Sequence, residues 1–183
     1  SQEAADRIQE TNVLITQRRQ RYEMTVNIIA SGERVREEAE KARLENDLGN
    51  AIKTYRQAIT FFEAVDDEFR ELSNNAKERI RQLNGNVREV ITAVLDNASD
   101  AIDRGERAKE EHRYEEAIAS YETIPSIVDV IPEDISEIVT EDKRNMITLS
   151  DSKVQEAKVA KLRYEEAQRA QEEAARAGGR GGG

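Results

Sequence analysis

Residues 101–125 read AIDRGERAKEEHRYEEAIASYETIP, and residues 35–59 read VREEAEKARLENDLGNAIKTYRQAI. Laid one on the other without a gap, they put Ala42 on Ala108, Ala51 on Ala117, Ile52 on Ile118 and Tyr55 on Tyr121. The register extends outward at the same offset, so that 22–83 lies on 88–149 and ends with Leu83 on Leu149. Between these anchors apolar meets apolar: Ile28 with Val94, Ile29 with Leu95, Leu48 with Tyr114, Val65 with Ile131, Phe69 with Ile135, Leu72 with Ile138 and Ile80 with Met146. A fixed period of this kind marks a duplicated helical module, and hence a repeat array rather than an enzyme built round one pocket.

The rest of the composition agrees with helices. Of 183 residues, 37% are hydrophobic, 36% charged and 4% aromatic, which suits long helices with one wet face. Two prolines, Pro125 and Pro132, leave nearly the whole chain free to be helical. Period-two alternation is scarce, so no sheet is expected. Six or seven helices follow from the breakers: 1–45, about 50 to the Asp66-Asp67 bend, a third through Leu83, 87–111, 114–131, 132–149 and 153–177. Turns are expected at 46–50 and near His112, and a strong break at Asn84-Gly85-Asn86. Pro125 should kink or open its helix, Pro132 should begin a fresh one, and Ser150-Asp151-Ser152 should cap the last. On this reading residues 1–177 form a single helical repeat domain, with modules at about 22–84 and 88–150 and a terminal helix at 153–177. The Gly-rich residues 178–183 form a flexible tail or linker.

Several function classes recede on composition alone. A formal charge of −10 argues against nucleic-acid binding, which needs a basic surface to displace counterions, and against docking on anionic lipid. There is no cysteine, so disulfides, thiolate chemistry and cysteine-based zinc sites are excluded. No run approaches the length of a membrane span, and a cytoplasmic location is expected. The first residue is Ser rather than Met, which suggests a processed chain or an excised piece.

Residues 101–125 resemble a tetratricopeptide repeat, a pair of antiparallel helices with small residues at their crossing. Gly105 and Ala108 match the small positions of the first helix, Tyr114 the bulky residue near the turn, Ala117 the small crossing position of the second helix and Tyr121 the aromatic that follows. Ala39, Ala42, Leu48, Ala51, Tyr55 and Ala58 fit the same places one module earlier. The bulky residue early in the family's first helix is missing, and the flanking helices are longer than its norm. The resemblance implies an all-α fold of antiparallel helix hairpins, either a solenoid or an elongated bundle. It also implies a non-catalytic scaffold that holds a peptide or partner helix. The family's chaperone-binding carboxylate clamp does not carry over, because its Lys/Asn/Arg set is not in register here.

Candidate sites are few. His112, the only histidine, lies among Glu110, Glu111, Glu115 and Glu116, but Lys109 occupies the place where a di-iron bundle needs Glu, so a solvated turn residue is expected. The Glu-rich faces pair with Arg and Lys at helical spacing, as in Glu37–Lys41 and Glu166–Arg169, and are expected to be solvated. Arg18, Arg19 and Arg21 form the one locally basic patch; they spread over more than one helix face, so ordinary solvent exposure is expected, the alternative being contact with RNA or an acidic partner segment. Ala157, Ala160, Tyr164 and Ala167 form a heptad seam of small residues on the last helix, expected to pack on the preceding repeat or to dock a partner helix or a second copy. No cofactor and no metal are expected. The partner is another protein or peptide, and the acidic surface favours a neutral or basic one. The alternative is a structural, self-assembling helical component of a filament, coat or larger complex; a regulatory segment of a larger enzyme is a third option.

Overall fold

A computed structural model describes residues 1–180. Among them there are six α-helices and no strand: α1 (Gln2–Leu44), α2 (Leu48–Glu63), α3 (Arg70–Glu110), α4 (Tyr114–Glu122), α5 (Ile124–Asp129) and α6 (Glu137–Arg180). The class is all-α. The chain divides into two compact units, Ser1–Ile91 and the residues from Thr92 onward, and the expected modules lie mainly one in each. In the first unit α1 packs against α2; in the second α4 and α5 pack against α6.

The helix ends follow local chemistry. Ser1 caps α1 by accepting from the Ala4 amide, and Asp47 caps α2 by accepting from Asn50 at 3.3 Å. The α1–α2 turn needs a left-handed residue, which Asn46 supplies at φ 59°. His112 does the same between α3 and α4 at φ 60°. These are the only two described non-glycine residues with positive φ, and they fall on one another in the alignment that places Ala42 on Ala108. Their hydrogen bonds match as well: Asn46 N donates to Arg43 O and Asp47 N to Ala42 O, while His112 N donates to Lys109 O and Arg113 N to Ala108 O. Pro125 opens its helix as expected, separating α4 from α5.

Four boundaries differ from the sequence reading. The break at Asn84-Gly85-Asn86 does not occur, and α3 runs straight through it. Leu83, Val87, Val90 and Ile91 are buried on both sides, and their packing outweighs the cost of about 1 kcal/mol for one helical glycine. Ser150-Asp151-Ser152 is not a cap but the interior of α6. Ser150 is buried there, and its hydroxyl donates to the Tyr121 carbonyl at 2.7 Å. The terminal helix expected at 153–177 is therefore the later part of a longer one. Pro132 does not start a helix either. Residues 131–136 form a turn, and α6 begins at Glu137 with the Ser136 hydroxyl accepting from the Val139 amide. That turn is fastened by Lys143, whose buried ammonium donates to Ile131 O and to Glu133, both at 2.9 Å. Finally, Gly178, Gly179 and Arg180 continue α6, contrary to the flexible tail expected from residue 178; residues 181–183 of that tail lie outside the described residues. Such residues cost a helix end little when a long helix already leads into them.

Candidate binding surfaces

Each hairpin crosses where a small residue meets an aromatic ring. A methyl group added to Gly105 would stand 2.3 Å from the Tyr121 ring, and one added to Gly32 would stand 2.9 Å from Phe62. Glycine is needed at these two places because the rings occupy the volume of a side chain. All eight residues singled out for repeat packing, Ala42, Ala51, Tyr55, Gly105, Ala108, Tyr114, Ala117 and Tyr121, are buried. Ala108, Ala117 and Tyr121 form one core cluster with Val154 and Ala157 of α6, flanked by Ile102 and Ile118. Burial at a matching offset is not guaranteed, however: Leu83 is fully buried, whereas Leu149 is 38% exposed.

The polar side of the second hairpin is a closed network around Glu106. The Tyr121 hydroxyl donates to Glu106 at 2.7 Å, and Lys153 and Lys109 reach it at 2.8 and 3.0 Å. Burial alone would push this carboxyl up, but the hydrogen bonds from Lys153, Tyr121 and Lys109 outweigh it and hold its pKa at about 2. Burial, and then the hydrogen bond to the Glu106 carboxylate, push the Tyr121 phenol up. The first hairpin carries the same three types at the same offset: Tyr55, Glu40 and Arg43. Burial first, and then Glu40, raise the Tyr55 phenol to about 12. Its hydroxyl, unlike that of Tyr121, sits in no well-formed hydrogen bond. The Glu40–Glu106 identity and the Arg43–Lys109 match were legible in the alignment. They escape a reading based on apolar positions because their role depends on a ring arriving from the next helix.

His112 is exposed, but it is not simply solvated. Its ring stacks on Tyr164 at 4.4 Å between centroids, and Nδ1 lies 3.0 Å from the Tyr114 hydroxyl. Tyr114 and Tyr164 are 5.7 Å apart, so the three rings form one cluster at the α3–α4 turn. Beside it runs an open groove lined by Tyr114 of α4 and by Ser152, Gln155, Val159, Ala160 and Tyr164 of α6.

The small-residue seam of α6 is divided along its length. Ala157 is buried in the core cluster, Ala160 and Tyr164 are half-buried, and Ala167 and every later described residue are exposed. The basic patch faces its own chain: Arg18 and Arg21 converge on Glu68, at 3.5 and 3.0 Å, while Arg19 is exposed. Among the described residues no group of three or more His, Cys, Asp or Glu is placed to hold a metal ion. No helix of the described residues is long and apolar enough to cross a membrane. No protein-family model, curated protein or solved structure matches the chain.

Proposed function

We propose that this chain is a non-catalytic scaffold of tetratricopeptide-like hairpins that binds another protein through the groove between Tyr114 and α6. The observation that carries the reading is the recurrence of one hairpin design, first around Asn46 and again around His112. A left-handed turn residue is followed by the same two backbone bonds, and a Tyr, a Glu and a cation recur at the same offset, although the small-on-aromatic crossings, Gly32 on Phe62 and Gly105 on Tyr121, fall at different positions. That design serves packing. The carboxylate most strongly perturbed, Glu106, is tied to two ammonium groups and a phenol and is held ionised, the opposite of what a general acid needs. What is left for function is surface, and the groove offers Val159 and Tyr164 beside the charges of Glu156 and Arg163. An apolar floor with polar edges fits a short helix or an extended peptide carrying one or two apolar anchors.

The test is a photo-crosslinker placed at Val159, which is 46% exposed, in the full chain incubated with native extract. A single saturable adduct, absent from Tyr164→Ala, supports the scaffold reading. Capture that is unsaturable, or unchanged by Tyr164→Ala, rules this groove out.

A second reading, a self-assembling structural component, is favoured by one specific observation. Residues 2–24 of α1 are exposed at every position, as are residues 165–180 of α6. Light scattering over a concentration series separates the two, since a scaffold stays monomeric or dimeric and an assembling component keeps growing.

A further inference from the structure

The exposed half of α1 is not a polar helix. Ile8 is 63% exposed, Val13 50%, Leu14 64% and Ile15 53%. A helical stretch of this length gains little from propensity alone and is ordinarily held by packing of an apolar face. One of its faces forms a shallow groove lined by Asp6, Gln9, Glu10, Val13, Leu14 and Gln17. Steps of three and four carry that row on to Arg21. Read along the helix, the face is acidic at Asp6 and Glu10 (Arg7 on its flank is paired with Glu3 at 3.1 Å), apolar at Val13 and Leu14, and basic at Arg21, with Arg18 beside it. Both arginines lean on Glu68, and their side chains are still 66% and 48% exposed.

We propose that this face is a homodimer seam, on which a second copy of the chain lays its own residues 2–24 antiparallel. The occupant follows from the order of charges. With a two-fold axis between Val13 and Leu14, residues whose numbers sum to 27 meet across the seam. Val13 then lies beside Leu14 of the other copy and Glu10 on Gln17. Asp6 lands on Arg21, opposite charge against opposite charge. A parallel pair would instead stack Asp6 on Asp6, Glu10 on Glu10 and Arg21 on Arg21, and like charges in register oppose association. The contact is isologous, one patch meeting itself, and closes at two copies. The exposed end of α6 lacks this polarity: Glu165, Glu166, Arg169, Glu172, Glu173 and Arg176 alternate in sign, so no direction or register is encoded. The dimer is independent of the groove on α6 and stands or falls separately from the scaffold reading.

Sedimentation velocity over a concentration series tests it on the full chain. A monomer–dimer equilibrium is expected, and Leu14→Asp should weaken it at least tenfold while leaving the circular dichroism unchanged, since Leu14 touches no core. Orientation is read by disulfide trapping, for which the cysteine-free chain is well suited. Glu10→Cys mixed with Gln17→Cys should cross-link. Glu10→Cys alone should not, because its two copies would stand about 10 Å apart along the seam, beyond the reach of a disulfide. A chain that stays monomeric, a dimer broken by Leu162→Asp but not by Leu14→Asp, or trapping of Glu10→Cys alone would each overturn the proposal.

Discussion

Gly105 and Gly85 both interrupt good helix-forming sequence, yet their surroundings are opposite. The Tyr121 ring leaves no room for a Cβ at Gly105, while nothing lies within 4 Å of one at Gly85. Gly105→Ala should therefore destabilise the protein by about 1–3 kcal/mol through overpacking. Gly85→Ala should stabilise it by up to about 1 kcal/mol, and urea denaturation of the two variants should show the opposite signs. Glu106 makes a pH prediction. Its folded pKa of about 2 lies below its ordinary value of 4.5. In that window the unfolded chain binds the proton more readily, so the stability Glu106 contributes is complete above about 4.5 and is lost as pH falls towards about 2. Glu106→Gln should be less stable at neutral pH and lose less on acidification, measured as thermal midpoints from neutral pH down to the acid end of that window.

At the scale of elements, the long helices are made by packing rather than by propensity. Helix α3 passes through Asn84-Gly85-Asn86 because Leu83 and Val87 are buried on either side. Hydrogen exchange should find the amides of 84–86 protected to the same degree as those of 87–91; fast exchange confined to 84–86 would mean two helices. Helix α6 passes through Ser150 for a different reason, since that hydroxyl is bonded to the Tyr121 carbonyl inside the core. Ser150→Ala should cost about 1 kcal/mol in chemical denaturation, the worth of one buried hydrogen bond. A cap would behave otherwise, its loss fraying the helix locally. The helix types were legible in the sequence, because apolar residues recur at three and four around 51–62 and 114–128. The boundaries at 84–86 and 150–152 were not, since glycine and serine act as breakers only when no tertiary contact opposes them; the start expected at Pro132 moved to Glu137 because Lys143 holds residues 131–133 in a turn.

For the whole molecule, charge would set the conditions of the proposed binding. With a formal net charge of −10, the chain should associate faster with basic partners. The association rate of a captured partner should fall several-fold between about 50 and 500 mM salt, as the screening length shrinks to a few ångströms. Dissociation from an apolar groove should change far less, and surface plasmon resonance separates the two rates.

The linear sequence determined the class and the small core residues Ala42, Ala51, Ala108 and Ala117, because helical spacing fixes which face they share; the crossing of Gly32 on Phe62 lies off the offset from that of Gly105 on Tyr121 and was decided by packing. It also determined the two turns at Asn46 and His112, where backbone geometry depends on neighbouring residues alone. Tertiary structure decided the rest. Glu106 became an ionised network centre because Tyr121 and Lys153 reach it from other helices. His112 became part of an aromatic cluster because Tyr164 comes to lie beside it. Ile8, Val13, Leu14 and Ile15 of α1 were left bare because no element of the described chain covers them. Each of these depends on what arrives from far along the chain, a contact between distant residues that no local pattern records.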